Sequence, residues 1–225
     1  MFKSVTENDL KILSQLKKNN DREWFHKHKP KIEIAQKNFL DLVSGLIFVL
    51  SEFDESVSNV EPKSAIFRIY RDVRYAHDKS PYKAHLAAFI SVGGRLSDTE
   101  PGYYFHFAPH GASLFGAGLY MSQKNTLRNV RTEIAHPQSR IVQMLADKVF
   151  RKSFPVLDED LKLKRVPRGF DANHPQCELL KLRHHFVYTQ LADKVVTSKN
   201  LLNTLAKGAE PLSRWCAVLR QATRG

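Results

Sequence analysis

Cysteine is scarce: Cys177 and Cys216 are the only two in 225 residues. Neither has a CxxC partner or histidines at zinc-finger spacing, so neither a disulfide scaffold nor a structural zinc site is expected. Free thiols fit a reducing compartment. Long hydrophobic runs are missing as well. The longest, Leu46 to Leu50, falls far short of the ~20 residues of a membrane span. Met1-Phe2-Lys3-Ser4 does not open onto a signal-peptide core. The expectation is a cytoplasmic protein with no membrane partner. Absent too are a Gly-x-Ser-x-Gly elbow, a Walker motif and HExxH. Gly111, Gly116 and Gly118 lack the strand-to-helix context of a phosphate loop, and close backbone approach or a bulge is their expected meaning. No metal and no cofactor is implied.

What is present suits one globular domain over residues 1–225. Apolar residues make up 42% and aromatics 10%, enough for a real core. The formal net charge is +12 and it is unevenly placed. Residues 1–60 carry nine basic and nine acidic residues, and residues 122–225 carry nineteen and nine. Such an imbalance favours phosphate-bearing or otherwise acidic partners.

Periodicity divides the chain. Thr6 caps an expected helix over 6–18, with Leu10, Leu13 and Leu16 in a stripe. Arg22 to Phe25 reads as a turn of helix, and Pro30 as the first residue of a longer one. That helix keeps i, i+3, i+4 spacing through Ala35, Phe39, Leu42, Val43, Leu46, Ile47 and Leu50. After Pro62 the period changes, and short β-branched or aromatic runs follow. Strands are expected over Ala65–Arg71, Ala84–Val92, Gly102–Ala108 and Ser113–Met121, with a hairpin at Pro109-His110-Gly111. Ser122 caps a returning helix that breaks at His136-Pro137. Residues 150–175 read as loop, and helices are expected near 176–183, 191–207 and 211–222. The fold class is therefore α+β: an antiparallel-rich sheet of at least four strands within residues 63–121, with helices from both chain ends packed on it.

Several ordered motifs carry a resemblance. They are Asn19-Asn20-Asp21-Arg22-Glu23-Trp24-Phe25, Phe67 to Arg74, Asp78-Lys79-Ser80-Pro81-Tyr82-Lys83 and Pro167 to Pro175. With Gly102-Tyr103-Tyr104-Phe105-His106 and Gly116-Ala117-Gly118-Leu119-Tyr120, they resemble the conserved-hypothetical family called domain of unknown function 2461. The resemblance implies a single-domain protein of mostly bacterial type, and it implies no activity.

The densest polar cluster is Arg68, Arg71, Asp72, Arg74, Asp78, Lys79, Tyr82 and Lys83. On a strand, Arg68, Tyr70, Asp72 and Arg74 share one face. Guanidinium forks match phosphate or carboxylate oxygens, and Asp72 would hold them or act as a base. Lys79 and Lys83, in the loop restricted by Pro81, would reach back over that face. His106 and His85 lie in expected strands and would move protons if paired with Asp72 or Tyr82. The candidate anion pocket is thus Arg68, Asp72, Arg74, Lys79, Tyr82, Lys83 and His106. The bland reading is an exposed ion-pair lattice. His26-x-His28 and His184-His185 read as structural.

Three functions compete: binding, or turnover, of a small phosphorylated or carboxylated ligand; nucleic-acid binding; and a non-catalytic protein-interaction module. The nucleic-acid reading rests on the basic C-terminal half, through Arg128, Arg131, Lys162, Lys164, Arg165, Arg168, Lys181 and Arg183, where aromatics for base stacking are sparse. The oligomeric state is left open.

Overall fold

The computed structural model describes residues 4–224. Met1, Phe2 and Lys3, on which the targeting expectation partly rests, lie outside them. The helices are α1 (Glu7–Lys18), α2 (Arg22–Ser51), α3 (Pro62–Ala65), α4 (Lys124–Ala135), α5 (Arg140–Ala146), α6 (Lys148–Ser153), α7 (Cys177–Leu180), α8 (Asp193–Val196) and α9 (Leu201–Arg224). The strands are β1 (Leu86–Ile90), β2 (Gly102–Phe107), β3 (Ser113–Leu119), β4 (Val156–Leu157) and β5 (His185–Leu191). They form one antiparallel sheet in the order β1-β2-β3-β5-β4. This is the α+β class expected, with helices from both chain ends.

Local chemistry explains the starts. Thr6 and Asp9 form a reciprocal capping box at α1. Asp21 caps α2 by accepting from the Trp24 amide. At α4, however, the N-cap is Gln123 rather than Ser122, and Ser122 Oγ has no partner.

Three expectations are corrected. Pro30 does not start a helix but sits inside α2, as Pro211 sits inside α9. An interior proline costs about 3 kcal/mol. The buried stripes on both helices outweigh that: Phe39, Leu42, Val43, Leu46 and Leu50 on one, Leu205, Leu212, Trp215 and Leu219 on the other. Second, Ala65–Arg71 is not a regular strand. Two isolated bridges, Ile66 to Ala88 and Tyr70 to Tyr82, are its only pairings among the described residues. Carboxylates interrupt it: Asp72 accepts from the Arg74 amide and Asp78 from the Ser80 amide, folding the backbone into turns. Third, residues 63–121 supply three strands, and β4 and β5 come from the tail. The aromatic and β-branched run His185-Phe186-Val187-Tyr188-Thr189 is the signal that identifies β5.

One contiguous core runs from Val5 to Ala222. Helix α2 has the length and composition of a membrane span, but its apolar stripe is sealed within this core. Cys216 is buried, and Cys177 is partly exposed. Alternate side chains of the sheet enter the core: Leu86, Ala88 and Ile90; Tyr103, Phe105 and Phe107; Phe115, Ala117 and Leu119. Helices α2 and α9 cover that face, and the Trp215 indole N–H donates to the Ala117 carbonyl at 3.2 Å.

Beneath α4, Arg131 donates to the Leu182 carbonyl at 2.9 Å. Beside it His185 is sealed, with neither ring nitrogen hydrogen-bonded among the described residues. Burial, then the charge of Arg131, pushes its imidazole down to about 3. The unfolded chain therefore binds the extra proton between about pH 6.5 and 3, and stability is lost as pH falls through that window. By this linkage His185 accounts for about 2 kcal/mol of lost stability between pH 7 and pH 5. Urea unfolding at the two pH values should show that His185→Phe is less acid-sensitive than wild type by this amount. An unchanged pH dependence would contradict the account.

Candidate functional site

Opposite the face packed by α2 and α9, the sheet has a second face. A cavity of about 760 Å³ lies over it. Its floor is the other half of the side-chain alternation: His85 just before β1, Ala87 and Phe89 on β1, Tyr104 on β2, Leu114 on β3, Phe186 and Tyr188 on β5. Phe67 walls it beside β1, Tyr120 closes one end, and the loops 95–98 and 158–160 form its rim. Two glycines on the same parity let β3 and β5 close up. A Cβ at Gly116 would fall 2.1 Å from the Val187 carbonyl oxygen, and one at Gly118 equally close to that of His185.

The charged groups of the cavity are of both signs: Lys83 and Arg95 stand against Asp98, Asp158, Glu159 and Asp160 on its rim. Lys83 holds its ammonium 5.3 Å from the centre of the Phe67 ring. Burial, then the nearby Arg68 charge, lowers its pKa. His85 stacks on His106 with ring centres 4.2 Å apart. His106 Nδ1 shares a hydrogen bond of 3.0 Å with the Tyr104 hydroxyl. Burial, followed by the neighbouring His106, Lys83 and Arg71, pushes His85 down to about 3. Burial alone brings His106 to about 4, and burial followed by the neighbouring Tyr120 raises Tyr104 to about 12. At neutral pH both imidazoles are uncharged and the phenol keeps its proton.

The sequence-predicted residues divide between this cavity and a separate surface loop. Lys83 lines the cavity, and His106 stands directly behind its lining. Tyr82 is sealed instead, stacked on Phe25 at 3.8 Å, with its backbone held on both sides by the Asn20 side chain. Arg68, Asp72, Arg74 and Lys79 are exposed and outside the cavity. Residues 68, 70, 72 and 74 do share an exposed parity, although no regular strand carries them. Arg74 grips Asp72 through two nitrogens and holds its carboxyl down at about 2. Lys79 donates to the carbonyls of Val73 and Arg74, and Arg71 pairs with Asp78. Among these cations only Arg68 has no hydrogen-bonding or ion-pair partner among the described residues.

The sequence reading missed Tyr104, Tyr120, Phe186 and Tyr188 as lining, along with Arg95 and Asp158 to Asp160. The alternation of aromatics at 104, 186 and 188 was a usable signal for the first, third and fourth. Nothing local marks the loops. The described residues contain no group of three or more His, Cys, Asp or Glu able to hold a metal.

The molecule is thus an α+β protein whose sheet gives one face to the core and the other to a cavity. The chain belongs to the family described as conserved hypothetical protein (DUF2461), whose model matches residues 8–217. No curated protein and no solved structure matches it.

Removing an exposed cation whose partner is equally exposed should matter little. Arg74→Ala is expected to leave the thermal midpoint and the cavity unchanged. Tyr82→Ala removes a buried ring and is expected to cost about 3 kcal/mol. Urea denaturation of both variants checks the contrast, and a large loss for Arg74→Ala would show that the surface lattice is structural.

Proposed function

We propose that the protein binds a small carboxylated or phosphorylated organic molecule in the cavity on the open sheet face. Lys83 carries the reading. It is a half-buried cation on the cavity wall, and among the described residues it forms no ion pair. A desolvated, uncompensated charge favours an anion beside it. Arg95, anchored on the Ser64 carbonyl, adds a second positive group at the rim, which also carries the carboxylates of Asp98, Asp158, Glu159 and Asp160, so the anion is placed at Lys83. The aromatic floor suits an apolar or flat body, and the volume fits one small molecule. Two free thiols support a cytoplasmic setting.

Nucleic-acid binding through the C-terminal half ranks second. Arg131 is buried there, and Glu178 engages both Lys162 and Lys181. Arg128, Lys164, Arg165, Arg168 and Arg183 stay exposed, without aromatic neighbours to stack bases.

Phenyl phosphate and benzoate test the first reading in a thermal melt. A ligand at a hundred times its Kd stabilises by about 2.7 kcal/mol, which for a chain of this size raises the midpoint by roughly 5–10 °C. Lys83→Met should lose that rise and Arg74→Ala should keep it. Equal shifts in wild type and Lys83→Met, or none in either, would refute the site.

A further inference from the structure

Two features of the cavity go beyond holding an anion. The first is His85. It lines the cavity, and no described residue hydrogen-bonds either of its ring nitrogens. A neutral imidazole with a free lone pair, facing a ligand cavity, is a proton acceptor waiting for a donor. The second is Tyr104, which also lines the cavity and is tied to His106 Nδ1 at 3.0 Å. When that nitrogen carries the hydrogen, it donates to the phenol oxygen, and the Tyr104 O–H is free to point at the ligand. His106, stacked flat on His85, then fixes both groups from behind. One small volume thus presents a base, a hydroxyl donor and the Lys83 ammonium, against a floor of Phe67, Phe89 and Phe186.

We infer that the cavity catalyses proton transfer on a carboxylate ligand with an acidic C–H beside a carbonyl, that is, a 2-oxo acid with an aromatic or apolar tail. The inference rests on the ligand site proposed above. Lys83 holds the carboxylate and the aromatic floor takes the tail. His85 takes the proton from the carbon next to the carbonyl. The C–H electron pair moves into a carbon–carbon double bond, and the carbonyl oxygen becomes an enolate that accepts a hydrogen bond from Tyr104. His85 then returns its proton to that oxygen or to the carbon. The net change is a tautomerisation, with no oxidant, reductant or second substrate. His85 and Tyr104 are the catalytic residues, and His106 is a positioning residue.

The ligand also adjusts the base. Desolvation, His106, Lys83 and Arg71 all disfavour protonated His85. A carboxylate at Lys83 cancels one of these cations and places a negative charge nearby. His85 then becomes more basic only when the site is occupied.

Phenylpyruvate in deuterated buffer is the probe. It has the carboxylate, the ring and the acidic methylene, and proton NMR follows exchange of that methylene. The wild-type protein should accelerate exchange over buffer by about a hundredfold or more, the usual range for general-base catalysis. His85→Gln should lose that acceleration and Tyr104→Phe should lose at least a tenfold part of it. Saturation-transfer NMR on the same samples should show that both variants still bind phenylpyruvate. Binding by wild type without accelerated exchange overturns the proton-transfer inference and leaves the ligand site standing. Exchange that persists in His85→Gln overturns the role of His85. Absence of binding overturns the ligand site and this inference together.

Discussion

Side-chain alternation across one antiparallel sheet is the constraint on which the molecule depends. In β2, Tyr103, Phe105 and Phe107 enter the core, whereas Tyr104 lines the cavity and His106 backs it against His85. A one-residue slip would exchange the two sets and place two imidazole-side residues under α2 and α9. Register is therefore shared by stability and site. Backbone close approach pins it where β3 meets β5. Gly118, at φ +146°, and Gly116 let β5 lie where side chains would otherwise stand. Any larger residue at Gly116 must push the two central strands apart, and with them the cavity floor.

A buried polar knot fixes the helical layer over that sheet. Asp54, just after α2, accepts from the Tyr103 hydroxyl at 2.9 Å and from Arg220 of α9 at 3.1 Å. Burial works to raise the Asp54 carboxyl, but bonds from Ser56, Arg220 and Tyr103 outweigh it and hold the group below its ordinary value. Arg220 also faces Glu100 at 3.6 Å. The knot links segments more than 160 residues apart, and its geometry specifies how α9 crosses the sheet more than it adds to net stability. The cavity face then rests on a floor braced from behind.

Legibility from sequence followed the range of the interactions. The runs at 86–90, 102–107 and 113–119 were readable because they are short and rich in apolar or aromatic residues, with turn signals between them. The Thr6 cap was readable because its partner Asp9 is three residues on. Helix α2 was half readable, since Pro30 outweighs its neighbours locally and loses only to the buried stripe. Strand β5 was missed because its flanks look helical and its partner, β3, lies about seventy residues upstream. For the site, adjacency misled. Arg68, Asp72, Arg74 and Lys79 are neighbours in sequence, but they lie on the surface, where Arg74 pairs with Asp72 and Lys79 bonds to the backbone. Lys83, by contrast, shares a cavity with Tyr120, Asp158 and Phe186 only through the order of strands in the sheet. No spacing rule carries that information.

The two thiols differ in a way that makes the protein convenient to watch. Burial raises the Cys216 thiol to about 12, so it is shielded and almost never a thiolate. Cys177 is reachable at the start of α7, next to Glu178, whose carboxylate also holds Lys162. A maleimide dye would therefore attach at one position without any mutation. Through the Glu178–Lys162 tie, that position is coupled to the loop 158–162 at the cavity rim. An environment-sensitive fluorophore on Cys177 becomes an optical gauge of rim movement in the unmutated chain.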